Sequence, residues 1–397
     1  MLHLAERLNR FSESQTIGMA KLGRELAAKG HDVINLSFGE PDFQTPIHIK
    51  EAAKKAIDDG YTFYTPVAGY PELKQAISDK FKRENNLDYA PDQIVVSVGA
   101  KHSIMNVVLC TVNPGDEAII PMPYWVSYSA MIQLAEGVPV YIKTTLENGF
   151  KISPEQLEAA ITPKTSLFIF SSPCNPTGSL YTYDELKALA EVFEKYPHIY
   201  IISDEIYEHI NFEGKHHSIA SFESIKDRVI TVNGVSKGFA MTGWRIGYIG
   251  ASKAIAQGCE KMQGQFTSGA CSIAQRAAIA ALNSDLKPTY EMRDAFLRRR
   301  NLVLEKMKSI EGFKTYIPGG AFYVFPDVTY YFGKSDGEHT INNSEDLCMY
   351  ILNHAFVSLV PGSAFGDENC IRFSYAAADE KLIDALDRIK SVLQNLK

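Results

Sequence analysis

The chain has 397 residues, 45 % hydrophobic and 22 % charged, and its 40 basic and 47 acidic residues leave a net charge of −7. That length exceeds one simple core and predicts two domains. No basic run marks a nucleic-acid surface, no apolar stretch is long enough to span a bilayer, and residues 1–8 mix charges where a secretion signal would be continuously apolar, so a cytoplasmic protein is expected.

In chain order, the first forty residues read as irregular. Gly39 and Pro41, in the string from Asn35 to Phe43, mark a turn where backbone can approach a ligand. Helical patterns at 48–58 and 71–84 flank the stretch from Tyr61 to Pro66. Residues 94–98 form the first buried strand, running into Gly99-Ala100-Lys101-His102-Ser103 and an apolar helix over 104–112. A small-residue turn that opens a helix presents free N–H groups and the positive end of the helix dipole, a seat for phosphate. Strands near 117–121, 138–142, 166–171, 199–203, 229–232 and 246–249 alternate with helices. That is the pattern of a mostly parallel sheet covered on both faces. After about residue 285 the pattern changes to a charged helix (288–310), a strand (320–325), a helix (344–355), strands (357–360 and 370–375) and a closing helix (379–396), a smaller α+β unit. Six scattered cysteines with no C-x-x-C pair read as small core residues of a reducing compartment.

Four polar residues fall at or just past the carboxyl ends of strands: Lys101, Asn175, Asp204 and Lys237. Open parallel sheets bind ligands at that edge. A lysine leaving a buried strand is partly desolvated, which lowers its pKa and frees its amine to attack a carbonyl. Eight positions after Lys237, Arg245 offers a rigid fork suited to phosphate. An amine nucleophile beside a phosphate anchor suits an aldehyde that carries a phosphate.

The stretch Ser236-Lys237-Gly238-Phe239-Ala240-Met241-Thr242-Gly243-Trp244-Arg245 resembles the pyridoxal-phosphate lysine motif of the class I/II aminotransferases, and similar blocks run from Ser14 to Tyr375. The resemblance implies fold type I: a large α/β domain (45–290) with a mostly parallel seven-stranded sheet between helices, and a smaller α+β domain (1–44 and 291–397). It implies pyridoxal phosphate as cofactor, with Lys237 holding it and moving a proton, Asp204 facing its ring nitrogen, and Tyr207 and Asn175 bonding its phenolic oxygen. Trp125 would stack on the ring. Gly99, Ala100, Lys101, Ser236 and Arg245 would hold the cofactor's phosphate end, joined by Tyr64 of a neighbouring subunit, hence a homodimer with shared sites. Gly39, Asn175, Trp125 and Arg372 would hold the substrate, with Arg372 gripping the α-carboxylate. Many members carry a hydroxyl three positions before the lysine; here that place is Gly234, so that contact is dropped.

Lys101 and the Ser14-Gln15-Thr16 segment resemble the bacterial aspartate aminotransferases of the short, thermophile-type branch, in which the lysine and hydroxyls hold a side-chain carboxylate. The implied reaction is ping-pong transfer of the amino group of aspartate or glutamate to a 2-oxo acid. Members that also use prephenate carry a basic residue two positions before that Ser; Ser12 here speaks against prephenate. Aromatic amino acids, kynurenine or alanine are alternative substrates on the same scaffold, and a lyase or decarboxylase is an alternative reaction. A cofactor-sensing DNA-binding regulator is not expected, because only about ten residues precede the substrate segment. No metal and no nucleic-acid or membrane partner is expected.

Overall fold

In the computed structural model, residues 3–11 and 15–397 are described. The elements run α1 (Gln15–Ala28), β1 (Ile34–Asn35), α2 (Ile47–Asp58), α3 (Pro71–Lys80), β2 (Ile94–Val98), α4 (Ala100–Thr111), β3 (Glu117–Met122), α5 (Ser127–Leu134), β4 (Val138–Lys143), α6 (Pro154–Ala160), β5 (Thr165–Ser171), α7 (Tyr183–Glu194), β6 (Tyr200–Asp204), β7 (Val229–Gly234) and β8 (Ile246–Gly250). The chain closes with α8 (Lys253–Phe266), α9 (Ser272–Leu282), α10 (Lys287–Met307), β9 (Tyr323–Val324), α11 (Ser344–Ala355), β10 (Val357–Ser358), β11 (Val360–Pro361), β12 (Ile371–Ser374) and α12 (Asp379–Leu393). Among the described residues no helix is long and apolar enough to cross a membrane.

Seven strands form one sheet in the order β2-β8-β7-β6-β5-β3-β4. β8 runs antiparallel to both its neighbours, and the remaining pairs are parallel. Successive residues of each strand serve opposite faces. Phe168, Phe170, Ile201 and Val229 pack into one core with α2, α3, α7 and α9. Leu167, Ile169, Ile202 and Ile230 pack into another with α4 and α8. Both faces are buried, so the strands read as continuous apolar runs rather than alternating ones. The carboxyl ends of β2, β3, β5, β6 and β7 share one edge of the sheet. The reversed direction of β8 brings its amino end, and Arg245 just before it, to that same edge.

A further core joins Met19, Ile34 and Leu36, together with Ile206, Tyr207 and Ile210, to side chains between Met292 and Leu396. β1 pairs with β10, and β11-β12-β9 form a small antiparallel sheet. Several elements differ from the sequence expectation. Residues 15–28, read as irregular, form α1, which buries only Met19, Ala20 and Gly23 fully and packs Leu26 partly against the core. The strand expected over 357–360 is two strands, because Val357 and Ser358 pair with β1 while Val360 and Pro361 pair with β12. The strand expected over 320–325 shrinks to Tyr323–Val324, since Ala321 takes φ 58°. α3 stops at Lys80 and continues as a wide turn through Asn85, with Asn86 left-handed.

That wide turn supports a buried ionic knot. Lys80, fully buried, donates to Glu208 and to Asn85 Oδ1 (2.7 Å); Glu208 also accepts from Asn85 Nδ2 (2.6 Å) and Asn233 Nδ2 (2.8 Å). Asn233 Oδ1 in turn accepts from the Gly234 N–H (2.7 Å). The knot ties the turn after β6 to the end of β7, the two places from which Asp204 and Lys237 emerge. Burial alone would push the Glu208 carboxyl up, but Lys80, with His209 and His216, holds it well below the usual carboxylate range. Lys80→Met strands that carboxylate, and we expect a loss of about 3–5 kcal/mol in urea unfolding. The double variant Lys80→Met/Glu208→Gln, which leaves no unpaired charge, should lose clearly less.

Candidate active site

The polar sheet edge opens into a cleft of about 270 Å³. Twelve residues expected from the sequence line it: Thr16, Gly39, Ala100, Lys101, Trp125, Asn175, Asp204, Tyr207, Ser236, Lys237, Arg245 and Arg372. Gly99 adjoins it beneath Arg245. Tyr64 is not part of it; its side chain stands on the surface, 99 % exposed. Ser12 and Ser14 lie outside the described residues.

Lys237 sits three residues past the end of β7 and donates to the Gly39 carbonyl at 2.5 Å. Burial lowers its pKa to about 8; Arg245 and Arg372 act in the same direction, and Glu40 opposes. Asp204, the last residue of β6, accepts from the Tyr128 hydroxyl (2.7 Å) and from the Ile206 N–H (3.3 Å). Even so, burial raises its pKa to about 6. The Tyr207 hydroxyl lies 2.8 Å from that of Tyr323, and the Lys237 amine lies 5.8 Å from the Tyr207 ring centre. A base made neutral more readily and an acid made protonated more readily, facing one cleft, mark chemistry rather than stability.

Arg372 is 2 % exposed and stacks on Tyr323 and Phe365. It donates to Asn175 Oδ1 (2.9 Å) and to the Ser37 carbonyl (2.6 Å), while its Nε is buried with no partner among the described residues. The hydroxyls of Thr16 and Ser171, both in the cleft lining, are buried without partners in the same way. A buried donor left unpaired costs about 1–3 kcal/mol, more when charged, so these groups are poised for a polar ligand.

At the other end of the cleft, Gly99 takes φ 81° and lies so close to Arg245 that a Cβ would meet its Nη2 at 2.2 Å. The N–H groups of Ala100 and Lys101 open α4 and have no intrahelical acceptor. The helix was expected from residue 104; it begins at Ala100, which brings Lys101 into its first turn. Lys101 places its amine 5.1 Å from the Trp125 ring centre. Burial, with Arg245 adding to it, lowers the Lys101 pKa. A Cβ at Gly234 would meet the Ile246 carbonyl at 2.8 Å and Gly247 Cα at 3.0 Å, so close pairing of β7 with β8 leaves no room there for a hydroxyl side chain.

Sequence reasoning missed Tyr128, Tyr323 and Ser171. Tyr128 had a signal, lying in the same aromatic string as Trp125, but its partner Asp204 is 76 residues away.

The sequence model of the family described as "Aminotransferase class I and II" matches residues 31–389. The chain belongs to the class I and II aminotransferases. It is 46 % identical to an "Aspartate/prephenate aminotransferase" of Nitrosomonas europaea, over 99 % of this chain and 100 % of that one. It is 48 % identical to a "Bifunctional aspartate aminotransferase and glutamate/aspartate-prephenate aminotransferase" of Petunia hybrida, over 100 % of this chain and 84 % of that one. Among solved structures, the aspartate aminotransferase of Rhizobium meliloti superposes with a TM-score of 0.97 at 41 % identity, covering 100 % of both chains. The Thermus thermophilus aspartate aminotransferase solved with maleate gives 0.93 at 39 %, covering 99 % of this chain and 100 % of that one. This aminotransferase therefore has the fold type I architecture that its sequence blocks resemble, with the mixed, mostly parallel seven-stranded sheet at its centre.

Proposed function

We propose that this aminotransferase binds pyridoxal phosphate through Lys237 and transfers the amino group of L-aspartate or L-glutamate to a 2-oxo acid. The observation that carries the reading is the pairing of a desolvated amine (Lys237) with a desolvated carboxyl (Asp204) across one cleft, with an anion seat at one end and a buried guanidinium at the other. The residues fit the group. Gly99 gives up its Cβ to bring Arg245 and the α4 amides together, which suits a phosphate. Bound there, pyridoxal phosphate supplies an aldehyde for capturing the amino group and a ring that draws electrons from the α-carbon.

The chain's own residues divide the remaining work. Asp204, held by Tyr128, keeps a proton at the ring nitrogen. Tyr207 and Asn175 orient the phenolic oxygen, and Trp125 covers the ring. Lys237, whose amine is neutral more often than an exposed lysine's, moves the proton at the substrate α-carbon. Arg372 grips the α-carboxylate, for which its free Nε is available. We take residues 45–290 and the pair 1–44 with 291–397 as the two domains, each built mostly round its own core, with Ile206, Tyr207 and Ile210 of the first packing into the core of the second. A homodimer follows from Tyr64, whose exposed ring would complete the phosphate seat of a partner. A cytoplasmic setting agrees with six free cysteines.

The side-chain carboxylate falls to Lys101, which reaches over Trp125, and to the unpartnered Thr16 hydroxyl. Lys101→Ala should raise KM for aspartate by about tenfold or more, through loss of a charge-assisted bond, and leave KM for alanine and phenylalanine within about twofold. Equal effects on all three would remove Lys101 from specificity. The relatives named for prephenate support a second acceptor, against the Ser12 expectation. Half-reaction spectra with aspartate, glutamate, alanine and phenylalanine, followed by an acceptor panel that includes prephenate, separate these readings. Failure of aspartate to convert the cofactor while phenylalanine or alanine does so would overturn the dicarboxylate reading.

A further inference from the structure

Among the described residues three clusters of carboxylates and imidazoles lie close enough to share a cation. Two of them, Glu84–Glu208–His209 and Glu205–Glu208–His216, gather round Lys80, whose ammonium already bonds Glu208. A protein cation occupies that space. The third is Asp336–His339–His354, none of which lines the cleft, and among the described residues no lysine or arginine is paired with it.

Its donors are held in a way that suits a metal. Residues 335 and 340 close a hairpin by bridge pairing. At its tip Asp336 Oδ1 accepts the backbone N–H groups of Glu338 (2.9 Å) and His339 (2.7 Å), leaving Oδ2 turned to His339 Nδ1 at 3.4 Å. His354, in the last turn of α11, places Nδ1 2.9 Å from the Tyr350 carbonyl. A carbonyl only accepts, so Nδ1 carries the proton and the lone pair of Nε2 is left for another partner. A carbonyl-bound second nitrogen is the usual companion of a metal-ligating histidine. The Tyr350 ring stacks on His354 (4.2 Å between centres) and fixes its plane, and the His339 ring lies 5.1 Å away.

We propose that Asp336, His339 and His354 form a surface site for one divalent transition-metal ion of the zinc type, with water on the open positions. Two imidazoles and one carboxylate favour Zn²⁺ and its neighbours, whereas Ca²⁺ and Mg²⁺ prefer all-oxygen sets. The candidate ligand atoms lie within 4.8 Å of one another. Bonds of about 2.0–2.2 Å require about 3.3 Å between ligands, a separation the Asp336–His339 pair already shows and the exposed His339 ring can close by rotation. The ion would pin the hairpin to α11, next to the paired backbones of Ser335 and Lys397.

The test is Zn²⁺ titration of chelator-treated, tag-free holoenzyme by calorimetry, with Co²⁺ absorbance as a geometric reporter and Mg²⁺ as the contrast. Wild type should bind one Zn²⁺ per chain and melt at higher temperature with it. His339→Gln and His354→Gln should each weaken binding by about tenfold or more and lose the Co²⁺ band, with transamination unchanged. Asp336→Asn, which keeps the hairpin's backbone bonds, should do the same. No saturable Zn²⁺ binding by wild type, or binding equally tight in all three variants, overturns the proposal.

Discussion

Lys237→Ala should abolish transamination, lowering kcat by about 10⁴-fold or more, because one group both captures the cofactor and moves the proton. The anion seat at Gly99, Ala100 and Arg245 is untouched by the change, so the variant should still take up pyridoxal phosphate, without a covalent link. Borohydride treatment followed by mass spectrometry separates the two states: wild type retains the cofactor's mass and the variant does not. A small primary amine added to the variant should restore part of the proton transfer, since the cavity left by the side chain opens onto the cleft. Fold damage alone would not respond to such an amine. The substitution should also stabilise the cofactor-free chain below about pH 8. Burial lowers the folded pKa of Lys237 from 10.5 to about 8, so in that range the folded state holds a desolvated charge that the unfolded state solvates freely. An active Lys237→Ala enzyme would refute the assignment.

How much of this was legible in the sequence depends on whether the determining contact is local. β6 with Asp204 at its end, and β7 leading to Lys237, were readable because both faces of the sheet are buried and the apolar runs stop where the polar edge begins. α1 was not. Gly18 and Gly23 weaken its intrinsic signal, and it is held by Met19, Ala20 and Gly23 against Ser358 and Asn35, partners that only the fold supplies. The split at 357–361 was hidden for a similar reason, since consecutive residues of one apolar run pair with two different sheets.

The site shows the same division. Most motif residues carried by the family resemblance fall in the cleft, with Tyr64 on the surface, yet the groups that tune them came from distant segments. Tyr128 reaches Asp204 across 76 positions, Tyr323 reaches Tyr207 across 116, and Lys80 reaches Glu208 across 128. Gly234 shows how a sequence departure acquires its reason only in three dimensions. The missing hydroxyl had looked like a lost phosphate contact, whereas the strand pairing with Gly247 admits no side chain at all.

Asp204→Asn should lower kcat by about 10²–10³-fold while making the cofactor-free chain more stable at neutral pH, and the opposite signs are the diagnostic. The amide keeps the shape and its one oxygen can still accept from the Tyr128 hydroxyl, so what is lost is the longer bond from the Ile206 N–H (3.3 Å) and the negative charge that keeps a proton on the ring nitrogen. The sign of the stability change follows from linkage. Burial raises the folded pKa from 3.8 to about 6, so the folded state binds this proton more tightly than the unfolded state. That contribution is fully present below about pH 4 and is lost as pH rises through 6. At pH 7 the buried carboxylate then costs about 3 kcal/mol, two pKa units at about 1.4 kcal/mol each. Thermal melts of cofactor-free protein between pH 5 and 8 should show the Asn variant ahead of wild type at pH 7–8, with the gap closing as pH falls. Adding pyridoxal phosphate should narrow or reverse the gap, because the protonated ring nitrogen restores a partner to the wild-type carboxylate that the amide cannot use as well. Equal stability at every pH, with activity retained, would mean that Asp204 neither carries its charge into the cleft nor uses it there.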